Sequence, residues 1–190
     1  MADGRIGFAV TGSFCTFKAV FPQMALLVQK GYRVIPIMSE NAYGTDTRFG
    51  RAADWVKQAE EITGEQVIHT IAQAEPIGPK KLLDLLIIAP CTGNTLGKLA
   101  CGIYDTAPTL AVKSHRRNDG PVLIAVSTND ALAGSAPGIG MLQCRKGIFF
   151  VPYEQDDYRQ KPASCVADFS RILPAAEAAL EGRQLQPVIF

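Results

Sequence analysis

Four short apolar runs, "RIGFAV" (5–10), "YRVIPIM" (32–38), "LLDLLIIA" (82–89) and "PVLIAV" (121–126), recur along the chain with helical patterns between them. Short runs rich in branched residues and lacking polar alternation suit strands buried on both faces. A fifth run, "GIFFVPY" (147–153), follows. In the intervals Phe17, Val20, Phe21, Met24, Leu27 and Val28 share one helical face, as do Phe49, Ala53, Val56 and Ile62. Strands alternating with helices make a parallel sheet covered on both sides. The expectation is an α/β fold, a doubly wound, Rossmann-like sheet, in a single domain over 1–190.

Local punctuation agrees with this reading. Gly31 and Gly64 stand just after helical patterns, where a left-handed residue closes a helix. Pro22 lies inside the first helical pattern, so that helix is either kinked or starts late. A last helix is expected from about Ser164 to Glu181, interrupted by Pro174 and ended by Gly182, with the apolar tail "RQLQPVIF" docked on the body.

Doubly wound sheets bind ligands beyond the carboxyl ends of their strands. The segments at those ends are polar: "TGSFCT" (11–16), "SENAYGTDTR" (39–48), "CTGNT" (91–95) and "STND" (127–130). Hydroxyls, amides and backbone N–H groups at helix N-termini are the equipment of a phosphate cradle. The same residue types are also ordinary helix caps and turns, and each loop alone admits either reading. The four loops are expected to converge on one anion site through Thr11, Gly12, Ser13, Ser39, Pro90, Thr92, Gly93, Asn94, Thr95, Ser127, Thr128 and Asn129. "TGSFCT" has one glycine where a dinucleotide fingerprint needs three, so a nicotinamide cofactor belongs on another chain.

In "APCTGNTLGKLACGIYD" (89–105), Leu96, Leu99, Ala100 and Ile103 are spaced to bury one helix face, which leaves Asn94 and Lys98 together on another. Lys98 is either a solvated helix lysine or a ligand contact.

This stretch resembles the motif of the homo-oligomeric flavin-containing cysteine decarboxylases, worded Pro-Ala-Ser-Ala-Asn-Thr with a following Lys and Gly-x-x-Asp, and "VTGS" (10–13) resembles their first flavin phosphate loop. The resemblance implies a flavodoxin-like fold, a site for FMN or a related flavin or phosphate ligand, a homo-oligomer, and a catalytic role for Asn94. Within that superfamily, "GFAVTGSFCTF", "TDTRFGRAADWV", "STNDALAG", "FFVPYEQDD" and a late "LQP" resemble a branch that works in endospore formation with an A subunit. There the pair oxidises dihydrodipicolinate, a small dicarboxylate, to dipicolinate, and the A subunit carries the NADP or NAD site.

Departures from the decarboxylase pattern count against decarboxylation and against tight flavin binding. The His that those enzymes place fourteen residues before the motif's Pro falls here on Pro76, and of their Pro-x-Met-Asn motif only Asn129 stays in register. Two other readings stand beside the synthase subunit: a stand-alone flavin-dependent decarboxylase or prenyltransferase, and a non-catalytic scaffold with a vestigial flavin or phosphate site. The candidate catalytic residues are Asn94 from the motif, Lys98 from helical spacing, and Arg48, whose guanidinium suits a carboxylate. Arg48 could equally cap the following helix region. Asp156 and Asp157 could serve acid-base or cation chemistry, or simply solvate a loop; "SHRRND" (114–119) reads as a solvated turn. Cys91 could be a reactive thiol or small core packing.

Composition bounds the partners. The formal net charge is +1 and charged residues make up 19% of the chain, too weak a field to recruit nucleic acid or acidic lipid. The five cysteines are odd in number and lack CxxC spacing, which argues for a reducing, cytoplasmic setting and against a metal site. No run is long and apolar enough for a membrane span.

Overall fold

The computed structural model describes residues 4–190. The expected strands form at β1 (Arg5–Val10), β2 (Arg33–Met38), β3 (Leu85–Cys91), β4 (Val122–Thr128) and β5 (Ile148–Phe150). They pair in parallel in the spatial order 2-1-3-4-5, the flavodoxin-like winding. Every residue of β3 is buried, as expected for a strand with helices above and below.

The first helix, α1 (Phe17–Gln29), runs through Pro22 without starting late. Pro22 faces solvent, where the carbonyl deprived of its partner can be hydrated, while Phe17, Val20, Phe21, Met24 and Leu27 are buried. A short helix α2 (Glu40–Gly44) follows β2, then α3 (Ala52–Thr63). The core face of α3 is Ala52, Trp55 and Ala59, and Phe49 lies outside that helix in the turn 47–50. Apolar spacing alone puts Phe49 on the helix; a bridge between Thr47 and Gly50 turns the chain first.

After α4 (Ile71–Ala74), β3 leads into α5 (Gly93–Ala100), which is shorter than its apolar spacing implies. Gly102 adopts φ 72°, the chain turns away, and Ile103 is left 46% exposed. The segment read as a solvated turn instead closes α6 (Ala107–Arg116): Thr106 and Thr109 form a reciprocal cap at its start, and Ser114 and His115 are buried near its end. Helix α7 (Ala136–Gln143) packs beside α5.

The largest departure from expectation lies beyond β5. Residues 164–167 do not begin the last helix. A hairpin of β6 (Tyr153–Glu154) and β7 (Cys165–Ala167) joins the sheet, with β7 antiparallel to the last two residues of β4, Ser127 and Thr128. The last helix, α8 (Ile172–Leu180), starts late enough that Pro174 falls in its first turn, where its missing N–H costs nothing, and Gly182 at φ 73° ends it. The tail docks through its backbone and Gln184: the Gln184 amide exchanges bonds of 2.8 and 2.7 Å with Phe150, and Tyr153 N–H donates to Val188 O at 3.0 Å. Among the described residues no helix is long and apolar enough to cross a membrane, and no cluster of His, Cys, Asp or Glu could hold a metal.

Candidate functional site

At the carboxyl edge the strand order reverses between β1 and β3, and there the chain leaves a crevice. Thr11, 1% exposed, ties the two neighbouring loops together: its hydroxyl donates to Pro90 O at 2.7 Å and accepts from Thr92 N–H at 3.1 Å. Ser13 and Ser127 share a hydroxyl–hydroxyl bond of 2.8 Å, which brings the β1 and β4 loops into contact. The resulting cleft has a volume of about 460 Å³ and is walled by Gly12, Ser13, Thr92, Ser127, Thr128 and Asn129. That is room for a nucleotide-sized ligand.

The two readings of each polar loop separate when their hydroxyls are followed. Ser39 accepts from Ala42 N–H at 3.3 Å and caps α2; Thr92 accepts from Thr95 N–H at 3.4 Å and caps α5. These two hydroxyls satisfy N-terminal donors, as ordinary caps do. The start of α1 is different. Neither Ser13 nor Thr16 places a side-chain oxygen on a backbone N–H there, and the Thr16 hydroxyl instead donates to Ser13 O at 2.8 Å. The positive end of this 13-residue helix and its 3-10 lead-in, Phe14–Thr16, therefore has no side-chain cap and opens onto the cleft.

The N-terminus of α5 already has a carboxylate beside it. Asp130 accepts from the hydroxyls of Thr128 at 2.5 Å and Ser135 at 2.7 Å, and these two donors hold its pKa below the usual carboxylate range. Gly93 packs against this cluster so closely that a Cβ there would lie 2.8 Å from both Asp130 Oδ1 and Thr128 Oγ1, and nearer still to Ser135 Oγ.

The candidate residues thus fall into two groups. Gly12, Ser13, Thr92, Ser127, Thr128 and Asn129 line the cleft; Thr11, Ser39, Pro90, Gly93 and Thr95 lie outside the lining and shape the loops from behind. Asn94, Lys98 and Arg48 also lie outside it. Asn94 is exposed on the first turn of α5, and Lys98 Nζ is held by Asp105 Oδ1 at 2.7 Å, which lowers the Asp105 pKa. Arg48 is exposed, with its guanidinium 4.9 Å from the centre of the Phe49 ring. Burial pushes the Cys91 thiol well up, so it serves as packing.

Phe14, Phe49 and Lys161 are cleft residues that the sequence alone does not single out, and Asp156, named there only as one of two acids that could equally solvate a loop, joins them. Phe14 and Phe49 supply aromatic wall, while Asp156 and Lys161 reach in from the loop between β6 and β7. In the sequence Asp156 is one acid of a polar loop, and Lys161 carries no spacing signal because a three-residue antiparallel strand places it. The donor set fits a flavin mononucleotide on this chain's own geometry: an uncapped helix N-terminus with adjacent hydroxyls suits the phosphate, and the side of Gly12, where a Cβ would meet nothing closer than 3.7 Å, leaves room for approach.

Known proteins share this architecture. The flavoprotein family profile matches residues 1–135. The dipicolinate synthase B subunit of Bacillus subtilis is 46% identical over 185 residues, 97% of this chain and 92% of that protein. The crystal structure of the dipicolinate synthase B subunit from Bacillus halodurans superposes with a TM-score of 0.92 at 40% identity, covering 100% of this chain and 97% of that one. An FMN-dependent cysteine decarboxylase, 22% identical, shares the fold with a TM-score of 0.68 over 95% of this chain and 98% of its own.

Proposed function

The chain belongs to the flavoprotein family, and from that premise we propose that it acts as the B subunit of a dipicolinate synthase, active only with an A subunit that carries NADP or NAD. The pair oxidises dihydrodipicolinate to dipicolinate in the cytoplasm of a sporulating cell. The observation that carries the reading is the uncapped start of α1 opening on the Ser13–Ser127 contact. It offers one phosphate-sized anion site, while the chain lacks the glycine turn that lets a dinucleotide pyrophosphate approach the backbone.

In this reading the α1 N-terminus, Ser13, Ser127 and Thr128 hold the phosphate of a flavin-type ligand, and Phe14 and Phe49 pack on its ring. A bound flavin supplies a two-electron redox couple. Thr11 and Gly93 keep the β1 and β3 loops in register behind it, and Asp130 fixes Thr128 by accepting its hydrogen bond. Asn94, Lys98 and Arg48 project outside the lining of this cleft, so their proposed roles toward the dicarboxylate require a second chain, the A subunit or another copy, seated against the edge where they lie. Asn94 ranks first because Lys98 must give up Asp105 to act and Arg48 lies on Phe49. Pro76 stands where the decarboxylases place their His, which favours the synthase reading over decarboxylation.

Co-purification with the A subunit, together with the visible spectrum of the pure chain, tests the reading. A stable complex and a flavin spectrum in the chain or the complex are expected. A colourless chain that neither takes up added FMN nor associates with the A subunit would support the scaffold reading instead.

A further inference from the structure

Among the described residues that line the cleft, Lys161 is the only cation and Asp156 the only carboxylate. Both belong to the loop between β6 and β7, which turns back on itself over the cleft. Gln155 Nε2 donates to Pro162 O at 2.9 Å, Lys161 N–H to Asp157 O at 2.7 Å, and Gln160 N–H to Asp157 Oδ1 at 3.0 Å. At its base Leu132 N–H donates to Ala163 O at 3.0 Å, and β7 is locked to Ser127 and Thr128. The backbone that presents Lys161 is therefore pinned, while its side chain is 58% exposed.

Within this frame the ion pair is loose. Lys161 Nζ stands 3.9 Å from Asp156 Oδ2, at the limit of a contact, and exposed pairs of this kind hold weakly. The remaining walls are hydroxyl, amide, backbone, aromatic and aliphatic, with the Cys15 thiol. A dianion entering such a cleft needs a cation, and the other two basic candidates are placed elsewhere: Lys98 is bound to Asp105 at 2.7 Å and Arg48 lies outside the lining. We propose that Lys161 receives a carboxylate of the small dicarboxylate substrate, and that Asp156 parks the ammonium between turnovers and competes with the substrate for it. The proposal rests on the reading of this cleft as a flavin-type site at whose mouth the dicarboxylate is oxidised. It makes Lys161 a binding residue and assigns it no proton transfer.

Opposite signs at the two positions test it. In the reconstituted pair of this chain with its A subunit, Lys161→Met is expected to raise KM for dihydrodipicolinate about tenfold or more with kcat changed less than about threefold, the pattern of lost uniform binding. Lys161→Arg recovers part of the loss, and Asp156→Asn lowers KM by removing the competitor. In parallel, the same complexes are titrated with pyridine-2,6-dicarboxylate and with the monoacid pyridine-2-carboxylate; Lys161→Met should weaken the diacid more than the monoacid. An active wild-type pair whose KM ignores Lys161→Met overturns the proposal and leaves the functional reading standing. Asp156→Asn raising KM as Lys161→Met does also overturns it, since the two would then be a structural strap. A wild-type pair with no turnover rejects the functional reading itself. In that case the titration decides, and diacid binding that is absent or equal in wild type and Lys161→Met sinks the proposal.

Discussion

Ser13 and Ser127, 114 positions apart, meet hydroxyl to hydroxyl at 2.8 Å and join the loop after β1 to the loop after β4. Ser127 is 4% exposed and, among the described residues, makes no other side-chain bond, whereas Ser13 is half-buried at the cleft mouth. Ser13→Ala should therefore cost about 1 kcal/mol by stranding a buried hydroxyl, and adding Ser127→Ala should return part of that loss. Urea unfolding of the two single variants and the double variant measures it; strictly additive losses would mean the bond is not formed in solution.

Gly93 is a second point of close approach. Its backbone abuts Asp130, Thr128 and Ser135, so Gly93→Ala should destabilise the fold by about 1–3 kcal/mol through overpacking. The penalty should shrink in an Asp130→Ala, Ser135→Ala background, where two of the three obstructing atoms are gone and only Thr128 Oγ1 remains. An equal penalty in both backgrounds would place the strain elsewhere.

His115 supplies a pH dependence. Burial holds its pKa below 6.5, with Arg116 acting in the same direction and the Pro121 carbonyl and Asp84 opposing; its Nε2 sits 3.0 Å from Pro121 O. The folded chain thus binds this proton less readily than the unfolded chain. The stability tied to neutral His115 is complete above about pH 6.5 and declines as pH falls toward the lower folded value, with a slope of at most about 1.4 kcal/mol per pH unit. His115→Gln should flatten that decline below about pH 6.5, as followed by thermal melts; an unchanged slope would assign it to other groups.

Thiol chemistry separates the cysteines. Cys15, Cys101 and Cys144 are exposed, while burial raises the pKa of both Cys91 and Cys165. Alkylation of the native chain, mapped by mass spectrometry, should mark the first three and spare the other two. Because Cys15 lines the cleft, added FMN should slow its labelling while leaving Cys101 and Cys144 unaffected. Early labelling of Cys91 would contradict its role as packing.

The sheet is legible in the sequence because β1 to β4 are short, branched-rich and buried on both faces, so their local pattern and tertiary setting agree. The polar loops after those strands are legible as a set, since a parallel sheet sends them all to one edge. What each loop does is not. Ser39 and Thr92 cap helices while Ser13 faces the cleft, and the residue types are interchangeable until the helix starts are known. The β6–β7 hairpin is hidden for another reason. Strands of two and three residues carry no periodicity, and β7 is fixed by pairing with Ser127 and Thr128 from far away in the chain. Lys161 is lost with it, and Asp156 reads only as one acid of a polar loop with no sign that it faces the cleft. Phe49 is misplaced because its apolar spacing fits the helix α3, which begins only at Ala52.

The central claim is that this chain completes a dihydrodipicolinate oxidase only together with its A subunit. The most direct measurement is the rate of dihydrodipicolinate oxidation with NADP or NAD by this chain alone, by the A subunit alone, and by the two mixed. The account predicts turnover in the mixture well above the sum of the separate chains, with none from this chain alone. Turnover by the isolated chain, or a mixture no faster than the A subunit alone, would contradict it.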